Sequence, residues 1–280
     1  MTIKETLKYG CDILEKNGIG EAGIDAWNLF EYITGINRTQ YFLYPDKEVD
    51  NNQSEKYIEV INKRASHYPL QYITNVQSFL QYDFYVDESV LVPRPETELL
   101  VLEAEKLVNK QKSGNYNVCD MCTGSGCIAI SFKLRNTDCD VDAVDISDAA
   151  LHIARRNAAD LNADVTFYKS DLFAALSNKR YDLIISNPPY IETAEIDLLM
   201  SEVKDYEPKL ALDGKEDGLF FYRKIIEESN KYLKPDGKVI FEIGFNQADD
   251  ITNMLKTAHF KDIQVLKDMS GLNRIVIGGK

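Results

Sequence analysis

Asn187-Pro188-Pro189-Tyr190 stand where an apolar run, Asp182 to Ser186, stops. A proline has no N–H for a strand ladder and pushes the residue before it away from the helical region. Asn187 is therefore expected to be extended at a strand end. The tetrapeptide suits a planar NH₂ group, which offers two N–H donors and a lone pair delocalised into its π system. The Asn187 side-chain oxygen and the Pro188 carbonyl can accept those two hydrogens, and Tyr190 can stack on the plane. As an electrophilic methyl group arrives, positive charge grows on the nitrogen, and two aimed carbonyl dipoles stabilise it without a strong base. A Pro-Pro turn with a buried tyrosine is the competing structural explanation for the same four residues.

A second group of residues points to a cofactor. Asp120 and then Thr123-Gly124-Ser125-Gly126 follow a strand pattern and precede a helical one. Gly124, Gly126 and Ala129 meet the G-x-G-x-x-G/A spacing of a dinucleotide turn, and Asp145 ends the next strand about 20 residues on, where a carboxylate takes ribose hydroxyls. Ser170-Asp171-Leu172-Phe173 end the third strand, offering a carboxylate for an exocyclic amine and apolar side chains for the face of an adenine ring. A nicotinamide enzyme would need a proton-transfer partner, and His67, His152 and His259 all lie away from these strand ends.

With these residues in place, the sequence resembles the S-adenosylmethionine-dependent methyltransferases, and within them the PrmC/HemK family, which methylates the side-chain amide (N5) of the glutamine in the Gly-Gly-Gln motif of class I peptide-chain release factors. Pro69-Leu70-Gln71-Tyr72-Ile73 and Val90-Leu91-Val92-Pro93-Arg94-Pro95-Glu96-Thr97-Glu98 look like that family's signature, and the resemblance continues in Tyr206-Glu207-Pro208, Asp217-Gly218-Leu219 and Glu242-Ile243-Gly244. Asn-Pro-Pro-Tyr is shared with enzymes that methylate nucleic-acid amines, so the Arg94 to Glu98 block is the more specific sign. The resemblance implies that Cys122, Thr123, Gly124, Ser125, Gly126, Asp145, Asp171, Leu172 and Asn187 contact S-adenosylmethionine, which leaves as S-adenosylhomocysteine. It implies that Asn187, Pro188, Pro189 and Tyr190 hold the substrate glutamine, with Asn187, Pro188 and Tyr190 catalytic. Some positions depart from the family's pattern: Cys122 stands where a glycine or small residue is usual, Leu172 where tryptophan is frequent, and Asn75 and Gln81 where glycine is common.

The elements that would position these residues follow from periodicity. Thr2 and Glu5 have capping-box spacing before Ile3, Leu7, Cys11 and Leu14, and Gly18 supplies a stop. Asp25 is expected to cap a second helix carrying Trp27, Phe30 and Ile33, with Gly35 after it. A third runs from Gln53 to His67 with Tyr57, Val60, Ile61 and Arg64 on one face, ended by Pro69. Residues 1–68 thus read as a helical N-terminal domain for substrate recognition. Residues 69–92 read as a β-hairpin connector built from Tyr72-Ile73-Thr74, Phe84-Tyr85-Val86 and Val90-Leu91-Val92. Residues 93–280 read as the methyltransferase domain. There Glu96 and Glu98 suit the first turn of a helix, Leu99 to Val108, and that alone would explain them. Arg94, Glu96 and Thr97 are equally compatible with lining a cleft.

After a polar break at Gln111 to Asn115, strands are expected at 116–119, 140–144, 165–169, 181–186, 238–243, 263–266 and 274–277, with helices near 128–134, 149–161, 221–232 and 247–258. Such alternation makes an α/β fold, a Rossmann-like, doubly wound, mostly parallel sheet with helices on both faces. The segment between the last two strands is too short for a parallel crossover, so the last strand is expected to be antiparallel.

Composition narrows the function classes. The 280 residues are 44% apolar, enough to bury a sizeable core in one large domain or two smaller ones. The apolar runs fall well short of the roughly 20 residues that cross a bilayer, and the start lacks a basic segment followed by an apolar one, so a cytoplasmic protein without membrane contact is expected. Five cysteines are an odd number scattered through a long chain, so reduced thiols are expected, and the lone C-x-x-C at Cys119 and Cys122 has no second pair that would make a metal site. A formal charge of −13 opposes broad binding to phosphate backbones. The family resemblance implies release factors as protein substrate; a monomer and no metal are also expected. A DNA or RNA amine (N6-adenine or N4-cytosine) methyltransferase is the alternative, and it predicts a basic recognition surface.

Overall fold

The structure, a computed structural model, describes residues 1–108 and 115–280, so the polar break expected at Gln111 to Asn115 lies, apart from Asn115, outside the described residues. The chain divides into two compact units, residues 1–76 with 200–206, and residues 77–199 with 207–280.

The first unit is helical: α1 (Ile3–Lys16), α2 (Ala22–Thr34), α3 (Arg38–Leu43), α4 (Asn51–Ala65) and α5 (Leu70–Thr74), joined from later in the chain by α9 (Ser201–Lys204). The capping box is present, with the Thr2 hydroxyl accepting from Glu5 N and the Glu5 carboxylate accepting from Thr2 N at 2.9 Å. Gly35 ends α2 in the left-handed region, at φ 68°, where a side chain would be strained. Asp25 does not cap α2. It lies inside the first turn, where its carboxylate accepts from Arg64 Nε of α4 at 2.7 Å, both side chains being 8% exposed. An acceptor buried beside a guanidinium is worth more in that bond than at a solvated helix end. Tyr72-Ile73-Thr74 are helical rather than extended, because the Pro69 carbonyl accepts from Tyr72 N and Ile73 N and so starts a turn. Asn75 ends that turn at φ 57°, and asparagine is among the few non-glycine residues that tolerate this region. Ile3, Leu14, Leu29, Phe30, Tyr57 and Ile61 form the unit's core.

The second unit opens with a two-stranded sheet of β1 (Val76–Phe79), whose first residue closes the first unit, and β2 (Tyr82–Tyr85). Val90-Leu91-Val92, expected in a strand, lie outside regular structure. There follow α6 (Pro95–Val108), β3 (Asn117–Met121), α7 (Cys127–Arg135), β4 (Asp140–Asp145), α8 (Asp148–Asp160), β5 (Val165–Lys169) and β6 (Tyr181–Ser186). A 3₁₀ turn (Thr193–Leu198) and α10 (Lys209–Leu212) precede α11 (Phe220–Tyr232), β7 (Leu233–Glu242), α12 (Ala248–Thr257), β8 (Lys261–Lys267) and β9 (Asn273–Gly279). Glu98 does more than begin a helix: its Oε1 accepts from Leu80 N at 2.7 Å and ties the hairpin to α6.

The main sheet has seven strands in the order β5-β4-β3-β6-β7-β9-β8, parallel except for β9, which pairs antiparallel with both β7 and β8. Successive residues of each strand face opposite sides. Val118, Leu183, Ile185 and Ile240 pack under α6 and α7, whereas Cys119, Met121, Ile184 and Val239 pack under α11 and α12. Both faces being covered explains why the strands read as nearly continuous apolar runs. From β3 the chain winds one way to β4 and β5, and from β6 it winds the other way to β7. The reversal puts a crevice outside the carboxyl ends of β3 and β6, which is where ligands bind in open α/β sheets.

Candidate functional site

The carboxyl end of β3 carries the glycine turn. Asp120 Oδ2 accepts from the Thr123 hydroxyl and, at 3.2 Å, from Ala129 N, so one buried carboxylate pins both ends of the turn. Gly124 N donates to Asp145 Oδ2 at 2.8 Å and Ser147 N to Asp145 Oδ1 at 2.9 Å, joining the turn to the end of β4. Gly124 has φ 55° and open space where a Cβ would sit. Gly126 differs: at φ 82°, a Cβ there would lie 2.8 Å from Ile130 Cδ1 and 3.1 Å from Ala154 Cβ, so it allows α7 to pack closely on α8. Cys122 (φ 67°) and Leu172 (φ 48°) hold left-handed backbone without being glycine, at a cost of order 1–3 kcal/mol each. Asn157, 1% exposed, supports the turn from behind: its Nδ2 donates to Ser125 O at 2.9 Å and to Tyr85 O at 3.0 Å, and its Oδ1 accepts from Tyr85 N at 2.8 Å.

These segments surround a cavity of about 350 Å³, lined by Cys122, Thr123, Gly124, Ser125, Asp145, Asp171, Leu172, Asn187 and Pro189 among others. Gly126, Pro188 and Tyr190 adjoin this lining without being part of it: Gly126 lies where α7 meets α8, Pro188 is buried, and Tyr190 is partly buried against the core beneath α11 and α12. Residues without a sequence assignment also face the cavity, notably Ser89, Phe220, Phe221, Lys215 and Lys224. Arg94 and Thr97 line it too, while Glu96 is not among its lining residues and stands only in the first turn of α6; the Arg94 to Glu98 block was the signal for both.

The donor set fits S-adenosylmethionine. The Asp145 oxygens take backbone N–H groups from Gly124 and Ser147 and keep lone-pair capacity for a hydroxyl. Burial pushes the Asp145 carboxyl up, against the pull of the Ser147, Gly124 and Ile146 N–H groups. Asp171 is exposed beside Leu172, which is 6% exposed and forms an apolar wall. The cysteines are poor nucleophiles here, since burial drives Cys119 and Cys122 well above the ordinary thiol range and Cys127 up to about 12. Among the described residues no group of three or more His, Cys, Asp or Glu side chains is arranged to hold a metal ion.

At the end of β6, Ser186 Oγ donates to Met121 O at 2.6 Å, binding the two strand ends together. Asn187 Nδ2 donates to the Thr97 hydroxyl oxygen at 3.3 Å. The backbone after Asn187 is held by later parts of the chain. Gln247 Nε2 donates to Tyr190 O at 3.0 Å and to Gly218 O at 3.3 Å, while Gln247 Oε1 accepts from Gly244 N at 2.9 Å. A Cβ on Gly218 would lie 2.4 Å from Tyr190 O, and one on Gly214 2.8 Å from Tyr190 Cα. Arg94 Nη2 donates to both oxygens of Glu207, at 2.6 and 2.8 Å. Sequence alone assigned no contacts to Glu207, Gly218 or Gly244; all three support the turn or the cavity rim.

The PrmC N-terminal domain family matches residues 5–74 and the Methyltransferase small domain family residues 97–205. A release factor glutamine methyltransferase of Clostridium acetobutylicum is 36% identical to this chain, over 99% of it and 98% of the relative. One of Clostridium botulinum is 37% identical over the same shares. The chain belongs to the release factor glutamine methyltransferase family. Among solved structures, a methyltransferase from Pyrococcus furiosus matches with TM-score 0.54 and 17% identity, covering 78% of this chain and 98% of its own, a likeness of fold. Family and fold together imply use of S-adenosylmethionine. The resemblance drawn from Arg94 to Glu98 and Asn187 to Tyr190 and the Rossmann-like sheet with an antiparallel strand are both borne out. Among the described residues no helix is long and apolar enough to cross a membrane.

Proposed function

We propose that this protein transfers a methyl group from S-adenosylmethionine to the side-chain amide nitrogen of the glutamine in the Gly-Gly-Gln motif of class I release factors. The observation that carries this is the meeting of the glycine turn and Asn187 on one cavity at the sheet's reversal point. Relatives that match end to end carry the corresponding name. The bound cofactor supplies a methyl group on a positively charged sulfur. Asp145 takes the ribose hydroxyls, Asp171 the exocyclic amine, Leu172 the adenine face, and the backbone from Cys122 to Gly126 the remainder. Asn187 Oδ1 and the Pro188 carbonyl accept the two amide hydrogens of the substrate, Pro189 shapes the turn, and Tyr190 stacks on the amide plane. Those two acceptors orient the nitrogen and stabilise the charge it gains, and the proton is lost after transfer, so no strong base is required.

Residues 1–68 grip the protein substrate, 69–92 connect, and 93–280 carry out the transfer. The enzyme works as a cytoplasmic monomer without a metal ion. Purified protein, a methyl-labelled cofactor and a release factor provide the test: label should appear in the factor and vanish when the motif glutamine is changed to alanine. Label that persists in the alanine variant would refute this function.

A further inference from the structure

Ser186 of β6 pairs with Phe241 of β7 in parallel register, so Asn187, just past β6, and Glu242, the last residue of β7, come side by side. The first turn of α6 places Thr97 over them, and Thr97 and Glu242 are 3% and 2% exposed. Asn187 Nδ2 donates to Thr97 Oγ1. The Thr97 hydroxyl and the Asn187 side chain both favour the charged form of the Glu242 carboxylate through hydrogen bonding, and Glu242 Oε2 is a buried acceptor without a partner among the described residues. This side of Asn187 therefore presents oxygen acceptors.

An asparagine amide has nearly the same shape either way round, and only its hydrogen bonds decide which end points where. We infer that Thr97, backed by Glu242, is a positioning residue that holds the Asn187 NH₂ inward and thereby turns Oδ1 towards the substrate nitrogen. The inference rests on the proposed amide substrate and deepens it. An outward Asn187 NH₂ would face the substrate NH₂ donor to donor, so the site would lose its grip on the group it methylates. Thr97 touches neither reactant in this role; it acts through Asn187.

The test compares Thr97→Val, which keeps the shape and removes the acceptor, with Thr97→Ser, which restores it. Thr97→Ala serves as a second deletion that cannot overpack. Two quantities are read: methyl transfer to a release factor, and proton exchange of the Asn187 side-chain amide in protein labelled with ¹⁵N-asparagine, the resonance being assigned by its loss in Asn187→Ala. Thr97→Val and Thr97→Ala should lower kcat about tenfold or more, as small misplacements do. KM for S-adenosylmethionine should stay within about twofold, since binding the cofactor is not at issue. Exchange of the Asn187 amide should accelerate in both variants, and Thr97→Ser should recover rate and protection together. A Thr97→Val or Thr97→Ala protein with the parent's amide exchange overturns the inference, as does a Thr97→Ser protein as impaired as the deletions. If the unmodified protein transfers no methyl group to the factor, the proposed function fails, while the amide exchange still decides the role of Thr97.

Discussion

Gln247 Nε2 donates to the Tyr190 carbonyl at 3.0 Å, so a residue from the start of the helix after β7 fixes the backbone of the turn after β6. The same side chain bonds Gly218 O and Gly244 N, and a side chain on Gly218 would collide with Tyr190 O. Gly218→Ala should therefore push the turn out of place. Gly218 also has φ 69°, so the substitution adds backbone strain of order 1–2 kcal/mol. The expected result is a loss of kcat for methyl transfer greater than the loss of S-adenosylmethionine affinity. Equal losses in both would mean that the whole cavity, and not the turn, had collapsed.

Asn187→Ala should abolish transfer and leave a folded protein. Asn187 is only partly buried and its side chain bonds Thr97 and the Glu242 carboxylate, so its removal costs about 1–2 kcal/mol of stability. Circular dichroism and a denaturation midpoint close to the parent's, together with absent methyl incorporation, are the predicted observations. Near-normal turnover would count against the clamp.

Asp145→Ala should weaken S-adenosylmethionine binding by about 10- to 100-fold, the worth of hydrogen bonds to a charged acceptor at roughly 1.5–3 kcal/mol. Calorimetry with the cofactor alone measures this without any substrate. The substitution also frees Gly124 N and Ser147 N, so part of the loss should appear as a lower denaturation midpoint.

How much of this was legible in the sequence depended on whether the signal was local. The capping box at Thr2 and Glu5, the strand from Val165 to Lys169 and the glycine turn rest on nearest-neighbour chemistry and could be read directly. Asp25 looked like a cap because its partner, Arg64, lies 39 positions away. Tyr72-Ile73-Thr74 looked like a strand from its β-branched and aromatic content, but Pro69 sets up a turn and propensity yields to it. Thr97 could not be placed without the packing of α6 over Asn187, nor Arg94 without its partner Glu207, 113 positions away. Gly126 read as a ligand-binding glycine, and its lack of a side chain also lets Ile130 and Ala154 approach; spacing does not distinguish approach to a ligand from approach to a helix.

Stability should fall as pH rises from about 4 to 7. Burial pushes Asp120 up to about 7 despite its bonds from Thr123 and Ala129, with Asp145 adding to the rise. Burial also pushes Glu242 up to about 7; Thr97, Arg274 and Asn187 oppose this, and Glu96 reinforces it. A carboxyl raised in the folded state binds its proton there when the unfolded chain has already lost it. The stabilisation is complete below the unfolded value and gone above the folded one, a slope of up to about 1.4 kcal/mol per pH unit for each group. Asp120→Asn should flatten the dependence of the denaturation midpoint on pH across this window. Below it the sign reverses for Asp217, which the Arg223 pair lowers to about 2. A midpoint that rises steadily from pH 5 to 7 would show that these two carboxyls are ionised in the folded protein.

Cys122 sits at φ 67° with its side chain packed against the core under α11 and α12, so its substitutions should separate backbone strain from packing. Cys122→Gly relieves the left-handed strain, worth about 1–2 kcal/mol, and gives up a small, partly buried side chain, so the two terms nearly cancel. Cys122→Val puts a β-branched side chain at positive φ, where it is a genuine outlier, and should cost about 1–3 kcal/mol. Denaturant midpoints should therefore rank the parent close to Cys122→Gly and both well above Cys122→Val. Cofactor affinity should follow the same order, because this residue opens the turn that Gly124 and Asp145 close. A stable Cys122→Val protein with full affinity would mean that the turn relaxes to negative φ, and the strain assigned to this position would be wrong.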